Sequence, residues 1–585
     1  MTYRAPVDEL RFTLEEVAAV EGLKATGAFP DFSSDLTAAI LEEAAKLAEN
    51  VLAPLNRVGD AEHCKLTGDA VKTPTGFPDA YAQFVEGGWQ GLQFPAELGG
   101  MGLPRALGVA VLEMIQGANL SFGLGPMLTY GGIEALIAHG TEEQKERYLS
   151  KLMTGEWSAT MNLTEPQAGS DVGALRTRAE PNGDGSWAIS GQKIFITWGE
   201  HDCADNIVHL VLARTPGSPE GTKGISLFLV PKILPDGSRN DLRAIGLEDK
   251  LGIHGSPTCT MEYTGATGWL IGEENAGMRC MFTMMNSARL NVGMQGVAIA
   301  ERAFQQALAY AEDRKQGRAI DAEGPAPHAI VHHPDIKRTL SLMKAKIAAS
   351  RAICISCAVA TDMAEHAEDA EERAAAKRRE ELLTPIAKAW STDIGVEIAS
   401  LGVQVHGGMG YIEETGAAQH LRDARITPIY EGTNAIQAID LVGRKLNMEG
   451  GAAFDELFVD IEQTIETCTT SSHPDLPLMG ERLQDSLEAL REATDWLKEA
   501  DMKDRLAGAT PFLTLAGETV GGWLLCVGAV AARRRQKENI GDPVFAARRI
   551  ALANFYAEAV MTLAPSRVDD VTMGADMIDE VGFGS

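Results

Sequence analysis

The sequence predicts an α+β protein, mostly helical, in which a β-rich segment separates two helical ones and a further helical extension follows. Three observations carry this. Apolar residues recur at helical spacing from about Ser34 to Thr154, the period falls to two near Trp157, and long helical patterns return from about Gly277. Segregated helix, strand and helix runs argue α+β rather than alternating βαβ units. The expected divisions are an arm (1–35), a helical domain (36–156), a β domain (157–276), a helical bundle (277–450) and an extra helical domain (451–585).

The elements follow in order. Pro6 and Pro30-Asp31-Phe32-Ser33-Ser34 punctuate the arm, and Ser34 reads as an N-cap. Leu36, Ile40, Leu41, Ala44, Leu47 and Val51 then share one helix face. Helices are expected over 105–117 and 142–152, with the Gly-rich stretch 89–102 as an interruption. Strands are expected over 187–190, 193–197, 207–213, 224–230, 258–263 and 269–271, with Asn182-Gly183-Asp184-Gly185 as a turn. The patterns at 281–316, 333–365, 377–401 and 435–445 predict an antiparallel bundle. The dense charge of 365–381 marks an exposed helix end or connection. In the extension, 481–497, 511–532 and 543–563 read as helices.

Composition narrows the function. The chain of 585 residues is 45% hydrophobic and carries a net charge of −30. Phosphate backbones repel such a chain, so nucleic acid is not an expected partner. The extension alone holds 12 Lys and Arg against 23 Asp and Glu. Cys354 and Cys357 form the one CxxC, inside a helical pattern and without a second pair, so zinc is not expected and buried reduced thiols are. His328, His332 and His333 invite a metal, but Pro334 interrupts them, and no metal is predicted. The opening residues 1–9 have no apolar core and do not read as a signal peptide. The smooth apolar run 520–532 is too short to span a bilayer and reads as a buried helix. No strand–GxGxxG–helix unit occurs, so a nicotinamide-binding domain is not expected.

The chemistry centres on Arg422-Asp423-Ala424-Arg425-Ile426-Thr427-Pro428-Ile429-Tyr430-Glu431-Gly432-Thr433-Asn434. An apolar strip ends in one carboxylate, and a helix follows. A carboxylate among apolar groups resists ionisation, so its pKa should rise, as a base for a weakly acidic C–H requires. A helix-capping Glu in a loop is the rival reading. Two further blocks stand upstream: Gln404-Val405-His406-Gly407-Gly408-Met409-Gly410-Tyr411, and Leu163 to Gly173 with its Gly169-Ser170-Asp171 turn.

Together and in this order the three blocks resemble the acyl-CoA dehydrogenase family, over roughly residues 35–450. The resemblance implies that Glu431 is the catalytic base and that FAD is the cofactor. It places Met161, Leu163, Thr164, Phe195 and Thr197 around the flavin, Thr164 and Thr197 as hydrogen-bonding positions. Phe195 stands where the family usually has Trp, which removes an indole hydrogen bond; a buried strand Phe is the rival reading. Gly169 and Ser170 would touch FAD, and Ser170 also CoA. Arg314, with Gln316, would reach the FAD pyrophosphate of a neighbouring subunit, although Gly317-Arg318 replaces the usual Phe-Gly; a solvated charge run is the alternative. Gln404 and Gly408 would hold the adenine end of that FAD, and Thr433 would add a contact. Arg289, Tyr430 and Gly432 would line the thioester side, with a structural salt bridge as the rival role for Arg289.

The implied reaction is α,β-dehydrogenation of an acyl-CoA, with electrons leaving to an electron-transferring flavoprotein; an acyl-CoA oxidase and a non-catalytic flavoprotein are the rival readings. The implied assembly is a homodimer or dimer of dimers, and the expected location is cytoplasmic. The Tyr3-Arg4-Ala5-Pro6 opening, the extension and the total length resemble a longer bacterial subgroup of the family. That points to a short acyl chain, 3-methylmercaptopropionyl-CoA first, with ordinary straight-chain acyl-CoAs as the alternative. Met284 and Met285 are candidates for contact with a thioether, and core packing is their rival role.

Overall fold

The computed structural model describes residues 3–320 and 322–582. The arm is folded and docked. Helix α1 (Val7–Phe12) buries Leu10 and Phe12, and Tyr3 is sealed against Gly117. Glu9 pairs with Arg549 and Glu16 with Arg534, which ties the arm to the C-terminal extension. Helix α2 (Ser34–Leu47) is capped one residue earlier than the sequence suggests. The Ser33 hydroxyl accepts from Leu36 N at 3.2 Å, while Ser34 is turned to Glu15.

Helices α3 (Ala53–Glu62) and α4 (Phe77–Glu86) flank a small hairpin, β1 (Lys65–Thr67) and β2 (Ala70–Lys72). Then come α5 (Arg105–Ala118), α6 (Leu120–His139) and α7 (Glu142–Thr154). Helix α6 falls within the stretch expected to be helical, but the sequence suggests no bounds for it. It is buried on nearly every side, so it has no polar face to generate a helical period.

The sheet contains β3 (Trp157–Asn162), β4 (Arg178–Pro181), β5 (Trp187–Thr197), β6 (Asn206–Ala213), β7 (Ser226–Pro231), β8 (Leu242–Leu247) and β9 (Thr258–Ile271). The order is β3-β6-β7-β9-β5-β4, with β8 also on β9; only β3 and β6 run parallel. The two short strands expected over 187–197 are one strand with register shifts, and those over 258–271 are likewise one.

The bundle is α8 (Gly277–Asp313), α9 (Pro334–His366), α10 (Ala370–His406), α11 (Ala417–Ala424) and α12 (Asn434–Asp440). The charged stretch 365–381 contains a short break, after which Asp369 caps α10 by accepting from Glu371 N and Glu372 N. Gly293 and Gly296 bring α8 hard against α10. A Cβ there would lie 2.4 Å from Ala387 O and 2.2 Å from Ser391 O. Across α5, α8 and α9, Arg351 forks to Glu113 (2.7 Å) and reaches Glu301 (2.9 Å), a buried triad.

The extension holds α13 (Ala452–Thr469), α14 (Leu476–Glu499), α15 (Met502–Ala507), α16 (Ala509–Glu538), α17 (Pro543–Ala559), α18 (Ala564–Thr572) and α19 (Ala575–Val581). The apolar run belongs to α16, which at 30 residues is long enough to cross a bilayer, as is α9. Both are packed inside the protein: 89% of the most apolar window of α16 is buried. Gly517 lets α16 press on Trp390, where a Cβ would meet the indole at 2.3 Å.

The eight cysteines are free, and six are buried; Cys64 and Cys203 are only partly covered, against the expectation of burial throughout. His328 accepts from Ala319 N at 3.1 Å and His333 lies 2.8 Å from Gln316 O, so both serve the loop backbone.

Candidate active site

The strip that ends in Glu431 is wound into consecutive turns. Thr427 N donates to Ala424 O, Tyr430 N to Ile426 O (3.2 Å), and Asn434 N to Pro428 O (3.0 Å). This coil throws Glu431 into the left-handed region at φ +57° and Gly432 at φ +81°. An L-residue held there costs roughly 1–2 kcal/mol, and such strain concentrates at functional sites. The helix that follows is capped by Thr433, whose hydroxyl accepts from Ile436 N at 3.3 Å. Glu431 is therefore not the cap, and the capping alternative falls.

Among the described residues nothing donates a hydrogen bond to the Glu431 carboxylate. Burial pushes its pKa up to about 7, against the opposing pull of the Arg289 and Lys388 cations. The direction is the one expected from an apolar surround, and it leaves a base that ionises near neutrality. Arg289, in the fourth turn of α8, is 8% exposed and makes no ion pair among the described residues. Its guanidinium lies over Phe282 at 5.9 Å, and its Nε is buried without a partner. The salt-bridge alternative for Arg289 therefore fails, and its Nε is a buried cationic donor with no partner among the described residues.

Tyr430 donates its hydroxyl to Gln295, whose amide N–H reaches the Met127 sulfur at 3.3 Å. Sequence reasoning missed Gln295 and Met127, because single polar or thioether residues in apolar helices carry no motif. Met284 is wholly buried against Gly131, a packing role. Met285 is partly exposed.

Two blocks expected around the flavin meet at one backbone bond: Ile194 N donates to Thr164 O at 2.9 Å. Beneath them lies a pair the sequence did not reveal. Lys193 Nζ, fully buried, reaches Glu165 at 2.8 Å and Leu163 O at 3.0 Å. Glu165 also accepts from Arg176 N, Thr177 N and the Thr177 hydroxyl. These donors and Lys193 hold its carboxyl down to about 2, although burial opposes them. The clamp fixes the loop that carries Leu163, Thr164, Gly169 and Ser170 against β5.

At the β5–β9 irregularity Phe195 takes φ +59° and is 58% exposed. It is therefore not the buried strand residue of the alternative reading. An aromatic ring presented this way suits stacking beneath a flat ring system. The Thr164 and Thr197 hydroxyls are partly exposed and bond to no other described group. Met161, on β3, is 9% exposed just before this edge. Gly169 and Ser170 are exposed, with open space over Gly169. Exposed aromatic, uncommitted hydroxyls and an open glycine turn fit a bound flavin.

Arg314, Gln316, Gln404 and Gly408 lie elsewhere. Arg314 follows the end of α8, roughly 25 residues and about 37 Å along one continuous helix from Arg289. It is exposed and free of ion pairs among the described residues. Gln404 and Gly408 are exposed at the end of α10, beside Met409, Tyr411 and Ile412, which are 48%, 85% and 43% exposed.

Family models cover almost the whole chain. The acyl-CoA dehydrogenase N-terminal domain matches 34–156, the middle domain 160–266 and the C-terminal domain 275–446. A model described as acetyl-CoA dehydrogenase C-terminal like matches 457–581. The chain belongs to the acyl-CoA dehydrogenase family. Membership brings the family's fold, FAD as cofactor and an oxidoreductase acting on acyl-CoA thioesters. The chain is 46% identical over 99% of both chains to the 3-methylmercaptopropionyl-CoA dehydrogenase of Ruegeria pomeroyi. It is 34% identical, again over 99% of both, to a butyryl-CoA dehydrogenase of Syntrophomonas wolfei. Among solved structures, Caenorhabditis elegans ACDH-11 in complex with C11-CoA superposes with a TM-score of 0.80. That match covers 99% of this chain and 95% of the other at 20% identity, a likeness of fold.

Proposed function

We propose that this family member oxidises 3-methylmercaptopropionyl-CoA to the 2-enoyl thioester, with Glu431 as base. The observation that carries the base assignment is the raised, partnerless carboxylate held at positive φ next to an unsatisfied Arg289. Glu431 takes the α-proton, and the product is the trans-2-enoyl thioester. FAD, when bound, accepts the hydride leaving the β-carbon. The Thr164 and Thr197 hydroxyls and the backbone around them would hold the flavin, with Phe195 against its face. The N–H of Glu431 would donate to the thioester oxygen, and the glycine at 432 leaves room for that approach. Arg289, Tyr430 and Ser170 would contact the substrate. Excluding water from this surface strengthens each of these interactions.

The length of α8 supports a shared site, since Arg314 lies about 37 Å along that helix from Arg289. Arg314, Gln316, Gln404 and Gly408 would contact FAD across a homodimer or dimer of dimers, Thr433 would add a contact to the cofactor, and the apolar Met409–Ile412 surface suits such an assembly. Electrons would pass to an electron-transferring flavoprotein. Eight free thiols suit the reducing cytoplasm.

The full-length likeness to the Ruegeria protein supports the substrate. A methylthiopropionyl chain is nearly isosteric with pentanoyl, and an apolar pocket separates chains by only about 1–3 kcal/mol per methylene. Measuring kcat/KM for methylmercaptopropionyl-, butyryl-, pentanoyl- and palmitoyl-CoA tests this. The first three should turn over and palmitoyl-CoA poorly. A preference for the sixteen-carbon chain, or no turnover of the thioether, would remove the assignment.

A further inference from the structure

Lys388 is a charge with no evident place in the chemistry so far. It lies midway along α10, wholly buried. Its ammonium donates to Asn434 Oδ1 at 2.8 Å, and no carboxylate pairs with it directly among the described residues. Asn434 is itself fixed. Its Nδ2 donates to Ala389 O (3.0 Å), Thr392 Oγ1 (3.0 Å) and Asp393 Oδ1 (2.8 Å). The amide thus has one orientation, with its oxygen on Lys388, and it staples the start of α12 to α10 three residues after Glu431. The close crossing at Gly293 and Gly296 brings the same stretch of α10 against α8, which carries Arg289.

A buried cation with one neutral acceptor is expensive unless some carboxylate field compensates it. The groups that face it are few. Glu431 from the coil and Asp393 from its own helix favour the ammonium, and Arg289 from α8 opposes it. Arg289 is in turn biased by Asp440 and Arg444 on the helix that follows the coil. Burial brings Lys388 down to about 7, with Glu431 the largest opposing influence.

We propose that Lys388 is a positioning residue for the dehydrogenation, a buried cation anchored by Asn434 that favours the ionised form of Glu431 and fixes the coil that presents it. This rests on the reading of Glu431 as base.

The test is the pH profile of kcat/KM for the holoenzyme and for two variants, Lys388→Met and Lys388→Gln. Methionine replaces the stem without the charge. Glutamine keeps a donor for Asn434 and also lacks the charge. Removing a nearby cation raises the pKa of a carboxylate, so the acidic limb should move up by about one unit in both variants. Below the limb, kcat/KM should fall about tenfold against wild type, with flavin content unchanged. A limb at the wild-type pH in both variants would overturn the proposal. A wild-type profile in the glutamine variant alone would reduce Lys388 to a hydrogen-bond donor and also defeat it. Failure of the base assignment is separable, because it would show as turnover in Glu431→Gln whatever Lys388 does.

Discussion

At the scale of single residues, Glu431 connects backbone strain, burial and chemistry. Its carboxyl has a folded pKa near 7, above the ordinary unfolded value near 4.5. The stability that comes with the protonated form is therefore complete below the unfolded value and lost as pH rises through about 7. Glu431→Gln mimics the protonated form at every pH. The variant should match wild type in thermal stability near pH 4 and exceed it near pH 8.5. Some solvent access reduces the full linkage value to about 1–3 kcal/mol. Equal stability at both pH values would show that the carboxyl is not held against ionisation. The sequence already suggested a raised pKa, because Ile426, Pro428, Ile429 and Tyr430 precede the carboxylate. It did not reveal Lys388, one of many charges along α10, whose burial depends on packing against other elements. The Phe195 environment was open for the same reason: a strand pattern does not say that the ring sits on an irregularity facing outward.

At the scale of elements, the Glu165–Lys193 clamp decides where the flavin-facing loop lies. Removing one partner of a buried pair leaves the other uncompensated, at a cost of about 3–5 kcal/mol. Lys193→Met should lower the melting temperature and release FAD at lower temperature than wild type, with the loss of flavin fluorescence quenching as readout. Unaltered flavin retention would mean that the clamp does not hold the loop. The clamp's acidic partner gives it a pH dependence as well. The Glu165 pKa is depressed to about 2, so its contribution is present above the usual carboxylate range and fades as pH falls toward 2. Element by element, the amphipathic helices α2, α7 and α14 were legible because each keeps one wet face. Helix α6 was not, since burial all round erases the period. The strands β4 and β8 were missed because each is short and half exposed on the sheet's outer part.

At the scale of the whole molecule, the C-terminal extension packs against the bundle helices α9, α10 and α12. The segregation of helix and strand runs made this architecture readable, and the docked arm was not readable because its anchors, Arg534 and Arg549, lie more than five hundred residues away in sequence. If Arg314 serves a neighbouring subunit's FAD, Arg314→Ala should elute from gel filtration with less flavin per chain while the oligomer persists. A monomer that retains its FAD would contradict the shared site. Turnover depends on one base acting in one holoenzyme. Anaerobic stopped-flow mixing of 3-methylmercaptopropionyl-CoA with Glu431→Gln, loaded with FAD, tests that most directly. Wild type should bleach the flavin absorbance within the turnover time. The variant should bleach at least about a hundredfold more slowly with its flavin still bound, whereas bleaching at the wild-type rate would place the base on another residue.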